Sequence, residues 1–274
     1  MRLSIIIVSY NARDDLANCL RSLNAAPPAI PHDITVVDNA SSDGSADAVR
    51  EGWPEVQVIT LVKNLGFSGG NNVGIRATSG ELILLLNSDT SVPPGAIDHL
   101  VSRLAARREA AVAGPRLVDG TGRLEISFGA MISPFAELRQ KLRGRLYERR
   151  VGPIERAVTR AAASERYVDW VSGACLLVYR ADAEAVGLLD ERFFLYTEDV
   201  DFCASIRKRG RRVLFTPAAE VVHFRGRSRT SAPGVTNAAY RRSQLAFYEK
   251  HHPRWAPLLR IYLRLRGHPG GQSP

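Results

Sequence analysis

Residues 80–90 read GELILLLNSDT, and this stretch decides the fold class. Leu82 to Leu86 form an apolar run without alternation, bounded by Gly80 before it and by Asn87, Ser88 and Asp89 after it. A strand with one wet face alternates polar and apolar side chains, whereas a strand covered on both faces does not. The run is therefore expected as a buried strand that delivers Asp89 to its carboxyl end, where ligands bind in open α/β sheets. An aspartate followed by Thr90, Ser91 and two prolines also fits a strand-ending turn with its own side-chain hydrogen bonds. These eleven residues leave both readings open.

Toward the N-terminus the same unit repeats. Leu3 to Tyr10 is a β-branched strand ending at Ser9, Tyr10 and Asn11, and Asp14 to Leu23 carries Leu16, Cys19, Leu20 and Leu23 at helical spacing. Ile34 to Asp38 is a second strand, and NASSDGS (39–45) supplies turn and N-cap residues for a helix through about Arg50. Val56 to Val62 is a third strand, after which NLGFSGGNNVG (64–74) opens another helix. Strands alternating with helices predict a mostly parallel, doubly wound sheet with Asp38 and Asp89 at one edge. The glycine-rich segment is neither GxGxxG nor a P-loop. Gly66, Gly69 and Gly70 would let the backbone approach a ligand, with Asn71 and Asn72 hydrogen-bonding a nucleoside or sugar. A tight turn without a ligand accounts for the same residues.

Toward the C-terminus, a helix from Pro94 to about Arg108 and a strand from Ala110 to Gly114 precede a hairpin at Arg116 to Ile126. A basic helical stretch follows from Pro134 to about Ala163. It places Phe135, Leu138, Leu142 and Leu146 near one face, among Arg139, Lys141, Arg143, Arg145, Arg149 and Arg150. YVDWVSGACLLVY (167–179) has strand character interrupted at Ser172 and Gly173, where a ligand or another segment can approach.

The acidic stretch LDERFFLYTEDVDF (189–202) is expected to start a helix capped by Thr197, with Glu198, Asp199 and Asp201 in its first turn and Arg207 to Gly210 closing it. The helix dipole accounts for acids there. It accounts less well for their crowding beside Phe193, Phe194 and Tyr196, which a cation or ligand hydroxyl would relieve. Arg212 to Thr216 and Glu220 to Phe224 are the last strands. His223 lies in the second and, taken alone, reads as a packed core histidine. Pro253 to Arg266 sets Trp255, Leu258, Leu259 and Tyr262 on one side, with Arg254, Arg260, Arg264 and Arg266 around them. It suits an interfacial helix or one docked on the protein's own core.

The whole composition is that of a globular protein: 274 residues, 45% hydrophobic and 24% charged. Cys19, Cys175 and Cys203 form no CxxC pair, which argues against a disulfide framework or zinc site and for a cytoplasmic compartment. The N-terminus reads as a strand, not a signal peptide. No apolar run approaches the ~20 residues that span a bilayer, so membrane contact is expected to be peripheral, at the cytoplasmic face of the inner membrane. A net charge of +9 suits a polyanionic partner: a nucleotide diphosphate, an anionic membrane or a nucleic acid. The last has no recognisable binding motif here, and no nucleic-acid partner is expected.

Seven motifs occur in order: IIIVSYN, VVDNASSDGS, NLGFSGGNN, LLLNSD, VDWVSGACLLVYR, LLDERFFLYTEDVDFC and VVHFRGRS. Together, from Leu3 to about Ser228, the chain resembles the family 2 glycosyltransferases of GT-A fold, and among them the bacterial rhamnosyltransferases. The resemblance implies a nucleotide-sugar donor-binding half at 1–115, an acceptor-binding and catalytic half at 116–230, and a C-terminal helical extension at 231–274. Donor contacts fall on Ser9, Tyr10, Asn11, Asp38, Asn64, Gly66, Gly70, Asn72, Asn87, Ser88 and Asp89. NSD takes the place of the DxD motif, so Asp89 is the expected ligand of a divalent cation, Mg2+ or Mn2+. Asn87 stands where the first aspartate would be. His223 would complete the metal site, Asp199 would be the general base beside Glu198, and the acceptor would meet Trp170, Gly173, Ala174 and Asp201.

The implied activity is that of an inverting, metal-dependent hexosyltransferase. It would move L-rhamnose from dTDP-rhamnose to a glycan acceptor, carried on polyprenyl diphosphate, in cell-envelope polysaccharide synthesis. A UDP- or GDP-sugar donor, or a non-catalytic sugar-nucleotide or glycan-binding protein, are the alternatives.

Overall fold

The structure, a computed structural model, describes residues 1–224 and 233–265. Arg225 to Ser228 of the last motif, Arg266, and positions 231–232 and 266–274 of the expected extension lie outside the described residues.

The stretch 82–87 is a strand, β4 (Leu82–Asn87), buried along its length until Asn87. Its lack of alternation has a direct cause. Leu82, Leu84 and Leu86 enter one core with Leu16, Leu20 and Leu100, while Ile83 and Leu85 enter another with Ile75, Phe202 and Phe215. Both faces of the sheet are thus covered, and β1 (Leu3–Ser9) divides its residues in the same way.

On one side, β1 pairs in parallel with β4 and with β2 (His32–Asp38), which pairs in parallel with β3 (Gln57–Thr60). On the other, β10 (Cys175–Tyr179) lies antiparallel between β4 and β6 (Ala110–Val118). Then come β11 (Arg212–His223), parallel to β6, and the two-residue β5 (Thr90–Ser91), antiparallel to β11. β8 (Arg166–Val168) pairs with β11, and β7 (Phe128–Gly129) with β9 (Trp170–Val171) in a separate ribbon. The sheet is mixed and mostly parallel. Because β10 runs against its neighbours, it begins at the edge where β1, β2, β4 and β11 end.

The helices are α1 (Arg13–Ala25), α2 (Ser45–Gly52), α3 (Gly66–Arg76), α4 (Ala96–Ala105), α5 (Pro134–Glu148), α6 (Gly152–Ala161), α7 (Arg180–Ala185), α8 (Glu198–Lys208), α9 (Pro233–His251) and α10 (Ala256–Leu265). Several local expectations change. Most of the glycine-rich stretch is helical, with Gly66 through Gly74 inside α3. Thr197 does not cap α8: its φ is +72° and its hydroxyl bonds no helix amide. The basic helical stretch breaks between α5 and α6 at Arg150, whose φ is +56°. On α5, Leu138 and Leu142 of the expected apolar face are exposed, while Glu137 and Tyr147 are buried. The two last strands are one, with a register shift between Thr216 and Glu220. The division at 115/116 falls within β6.

Candidate active site

Ser9 and Asp38 face each other in register at the ends of β1 and β2, and Val8 pairs with Asn87 at the end of β4. The chain enters β10 at this edge through Ser172, Gly173 and Ala174, since Cys175 pairs with Leu86. β11 leaves at the same edge, its His223 paired with Thr90. Residues far apart in sequence therefore converge because of strand order and direction.

The Asp89 corner is held by the backbone: the amide of Phe224 donates to the Asp89 carbonyl at 2.8 Å. The His223 ring is buried, with Nε2 3.2 Å from Asp89 Oδ1 and 3.4 Å from Asn87 Nδ2. On its other side, His223 Nδ1 lies 2.8 Å from Glu125 Oε2, across 98 residues of sequence. Burial alone would lower the His223 pKa, but its hydrogen bonds to Asp89 and Glu125 outweigh this and raise it to about 9.

Whether these groups suit a divalent cation is a question of donor count and orientation. Among the described residues no three His, Cys, Asp or Glu side chains gather to hold a metal. Asp89 and His223 offer two ligands. A cation fits here with diphosphate oxygens and water completing its shell, the usual arrangement for magnesium at phosphate sites. A carboxylate on Nδ1 would fix the imidazole with Nε2 toward a bound cation. Glu125 provides it, and sequence reading missed it; an isolated glutamate in a hairpin carries no signal of its own.

Asp199 lies in the first turn of α8. Its Oδ2 accepts from the Gly173 amide at 2.9 Å and its Oδ1 from the Val200 amide at 2.8 Å. One residue on, the Ala174 carbonyl accepts from the Asn87 amide at 3.0 Å. Gly173 and Ala174 thus bracket the acidic helix on one side and the NSD turn on the other. The segment leading into α8 carries φ of +70° at Tyr196 and +72° at Thr197, a costly backbone for side-chain-bearing residues.

Glu198 is buried. Burial, and then the neighbouring Asp199 charge, push its pKa well above the ordinary carboxylate range, which favours the neutral acid. Only Asp199 of this pair is partly open.

Four buried polar atoms near these segments have no hydrogen-bond partner among the described residues: Ser9 Oγ, Asp38 Oδ1, Thr197 Oγ1 and Glu198 Oε2. Each such atom costs free energy that a bound polar ligand can offset. Tyr10 is exposed at the same edge. Asn11 Oδ1 accepts from the Ser42 amide at 2.8 Å, and Asn64 Oδ1 from the Gly66 amide at 2.8 Å, so both shape their loops. Ser88 is half-buried in the NSD turn.

Other expected contacts are already committed within the protein. Asn72, expected at the donor, is buried and donates to the Leu189 carbonyl at 2.8 Å and to Glu191 Oε1 at 2.9 Å, while accepting from the Leu189 amide at 3.1 Å. Gly66 has φ +72°, and a Cβ there would overlap the Phe194 carbonyl. A Cβ on Gly70 would sit 2.8 Å from Val8 Cγ1. These glycines let α3 pack on the acidic loop and on β1. Asp201, expected at the acceptor, is buried with Oδ1 2.6 Å from His251 Nε2 and Oδ2 2.8 Å from Lys250 Nζ. Trp170 is half-buried and donates from Nε1 to the Ala130 carbonyl at 2.9 Å. Asn39, unassigned by sequence reading, joins β2 to α3: it accepts from the Leu65 amide at 2.8 Å and donates to the Gly66 carbonyl at 3.0 Å.

Two surface cavities, of about 320 and 620 Å³, include none of Asp89, His223 and Asp199. The site is defined by converging side chains.

Residues 4–164 match the family model described as Glycosyl transferase family 2. The chain belongs to that family. It is 32% identical, over 97% of its length and 92% of the relative's, to N-acetylglucosaminyl-diphospho-decaprenol L-rhamnosyltransferase of Mycobacterium tuberculosis. It is 28% identical, over 81% of its length and 66% of the relative's, to the low-salt glycan biosynthesis hexosyltransferase Agl10 of Haloferax volcanii. The mannosyltransferase PcManGT of Pyrobaculum calidifontis, solved with GDP-Man and Mn2+, superposes with a TM-score of 0.62 at 18% identity, over 95% of this chain and 68% of that one. GalNAc-T7, solved with UDP, GalNAc and Mn2+, gives 0.59 at 16% identity, over 81% and 44%. At such identities the likeness speaks for the fold, and the family 2 chain has the GT-A fold. Asp199 and His223 lie beyond the segment matched by the family model but within the span shared with the mycobacterial relative.

Proposed function

We propose that this glycosyltransferase moves L-rhamnose from dTDP-rhamnose to a hydroxyl of N-acetylglucosamine carried on a polyprenyl diphosphate, with inversion at the anomeric carbon, in cell-envelope polysaccharide synthesis. The sugar and acceptor are supported by the name and near-complete overlap of the mycobacterial relative. The chemistry is carried by one observation: consecutive residues Gly173 and Ala174 bond Asp199 and Asn87, so the carboxylate and the NSD turn share one rigid support.

In this reading Tyr10 stacks on the base and the spare Asp38 oxygen accepts a base N–H. Asp89 and His223 would hold Mg2+ or Mn2+, His223 giving up its Nε2 proton to do so and Glu125 fixing the ring. When bound, the cation neutralises the charge that develops on the departing diphosphate. Asp199, oriented by two backbone amides, takes the proton of the acceptor hydroxyl as that oxygen bonds to the anomeric carbon. General-base assistance of this kind is worth ~10²–10⁴-fold. Burial, and then the Asp199 charge, favour the neutral form of Glu198.

The test is nucleotide diphosphate release from a panel of nucleotide sugars, with and without a polyprenyl-diphosphate-linked N-acetylglucosamine. Acceptor-dependent release of dTDP from dTDP-rhamnose, well above that from UDP- and GDP-sugars, is the expected result. Faster turnover of another donor would reassign the sugar. No release from any donor would point to a binding protein.

A further inference from the structure

The last described helix buries one apolar face and exposes apolar side chains on another. Ala256 and Leu263 are buried, and Ala256 and Leu259 pack into a cluster with Phe193, Val200, Phe247 and Tyr248. At its start and along the opposite face, Trp255, Leu258, Ile261 and Tyr262 are 42, 58, 55 and 44% exposed. Their spacing of three and four places them along one side of the helix. Arg254, Arg260 and Arg264 are exposed around them; Arg260 is paired with Glu249 at 2.5 Å, and residues 250–265 contain no Asp or Glu. Among the described residues no helix is long and apolar enough to cross a membrane.

Charge selects the occupant of this face. A second copy docking through the same patch would set arginines against arginines, since a two-fold interface places the same patch on both sides. An anionic bilayer meets them with opposite charge, while exposed aliphatic side chains enter the acyl boundary and Trp and Tyr rings settle at the headgroups.

We propose that α10 lies in the plane of an anionic membrane surface, with Leu258 and Ile261 inserted and the arginines on the headgroups. This deepens the functional reading and rests on it for its purpose. The buried side of α10 shares a cluster with Val200, the residue after Asp199. Docking α10 therefore sets the base-bearing end of α8 just behind the membrane-facing helix, where a sugar on a polyprenyl diphosphate would be presented.

The experiment is co-sedimentation of the full chain with phosphatidylcholine vesicles, with and without about a third phosphatidylglycerol. Binding is expected to require phosphatidylglycerol and to weaken at least about tenfold in Leu258→Asp/Ile261→Asp, whose substitutions fall on exposed positions. Arg254→Gln/Arg264→Gln keeps the apolar stripe and should weaken binding to the anionic vesicles while reducing its salt dependence. Circular dichroism checks that both variants fold. Equal binding to neutral and anionic vesicles, or unchanged binding by both variants, would overturn the proposal. So would loss of a dimer in the apolar variant with vesicle binding intact, which would assign the face to a second copy. Vesicle binding is read without donor or acceptor, so its failure is distinct from failure of the glycosyltransferase reading, which shows as absent nucleotide release.

Discussion

His223 shows how a residue's meaning depends on its neighbours. Within its strand it reads as core, and it is indeed buried; in the fold its ring lies between Asp89 and Glu125, which is what the proposed metal role rests on. Glu125→Gln should weaken Mn2+ binding, measured by calorimetry with nucleoside diphosphate present, by about 10–100-fold. Unchanged affinity would remove Glu125 from the site. Gly66 was legible as a glycine with a purpose, but its purpose is the Phe194 carbonyl, a partner far along the chain that no local pattern announces. Gly66→Ala combines a positive φ with an overlap. It is expected to destabilise the protein by about 1–3 kcal/mol, read by thermal melting. A melt within about half a kcal/mol of wild type would contradict this.

Elements were legible wherever packing imposes a period. β1 and β4 declared themselves by lacking alternation, and α1 by its leucine spacing. What stayed hidden were polar side chains that join elements. Asp201, one of the acids of the first turn of α8, is expected at the acceptor; in the fold it docks α9 through Lys250 and His251. Removing one partner of a buried ionic cluster leaves the others uncompensated, so Asp201→Ala should cost about 3 kcal/mol and speed amide exchange in α9. Unaltered exchange there would contradict the docking role. Glu165 likewise joins α4 and β11: it accepts from Arg103 at 2.7 Å and from Thr216 at 2.9 Å, with Arg107 as a further partner. The Arg103 bonds lead in lowering its pKa, from 4.5 to about 2, against the opposing effect of burial. A depressed carboxylate pKa stabilises the fold above the unfolded value, and that contribution is lost as pH falls toward the folded value. Melting between about pH 5 and pH 2 should therefore fall more steeply for wild type than for Glu165→Gln, by an amount worth about 2–3 kcal/mol. Parallel pH profiles would refute it.

Across the molecule, the sheet is a device for bringing distant carboxylates to one edge. The repeated strand–helix unit made the first half readable from its sequence. The antiparallel insertion of β10 between β4 and β6 was not readable, because no local periodicity records which strands become neighbours. That insertion sets Gly173 and Ala174 between the NSD turn and α8, and so brings Asp199 to the site. The most direct test is Asp199→Asn, a nearly isosteric change, assayed for both donor affinity and turnover. Donor affinity within about twofold of wild type, with transfer slowed by ~10²–10⁴-fold, is the predicted outcome. Transfer at the wild-type rate would contradict the assignment of Asp199 as the base.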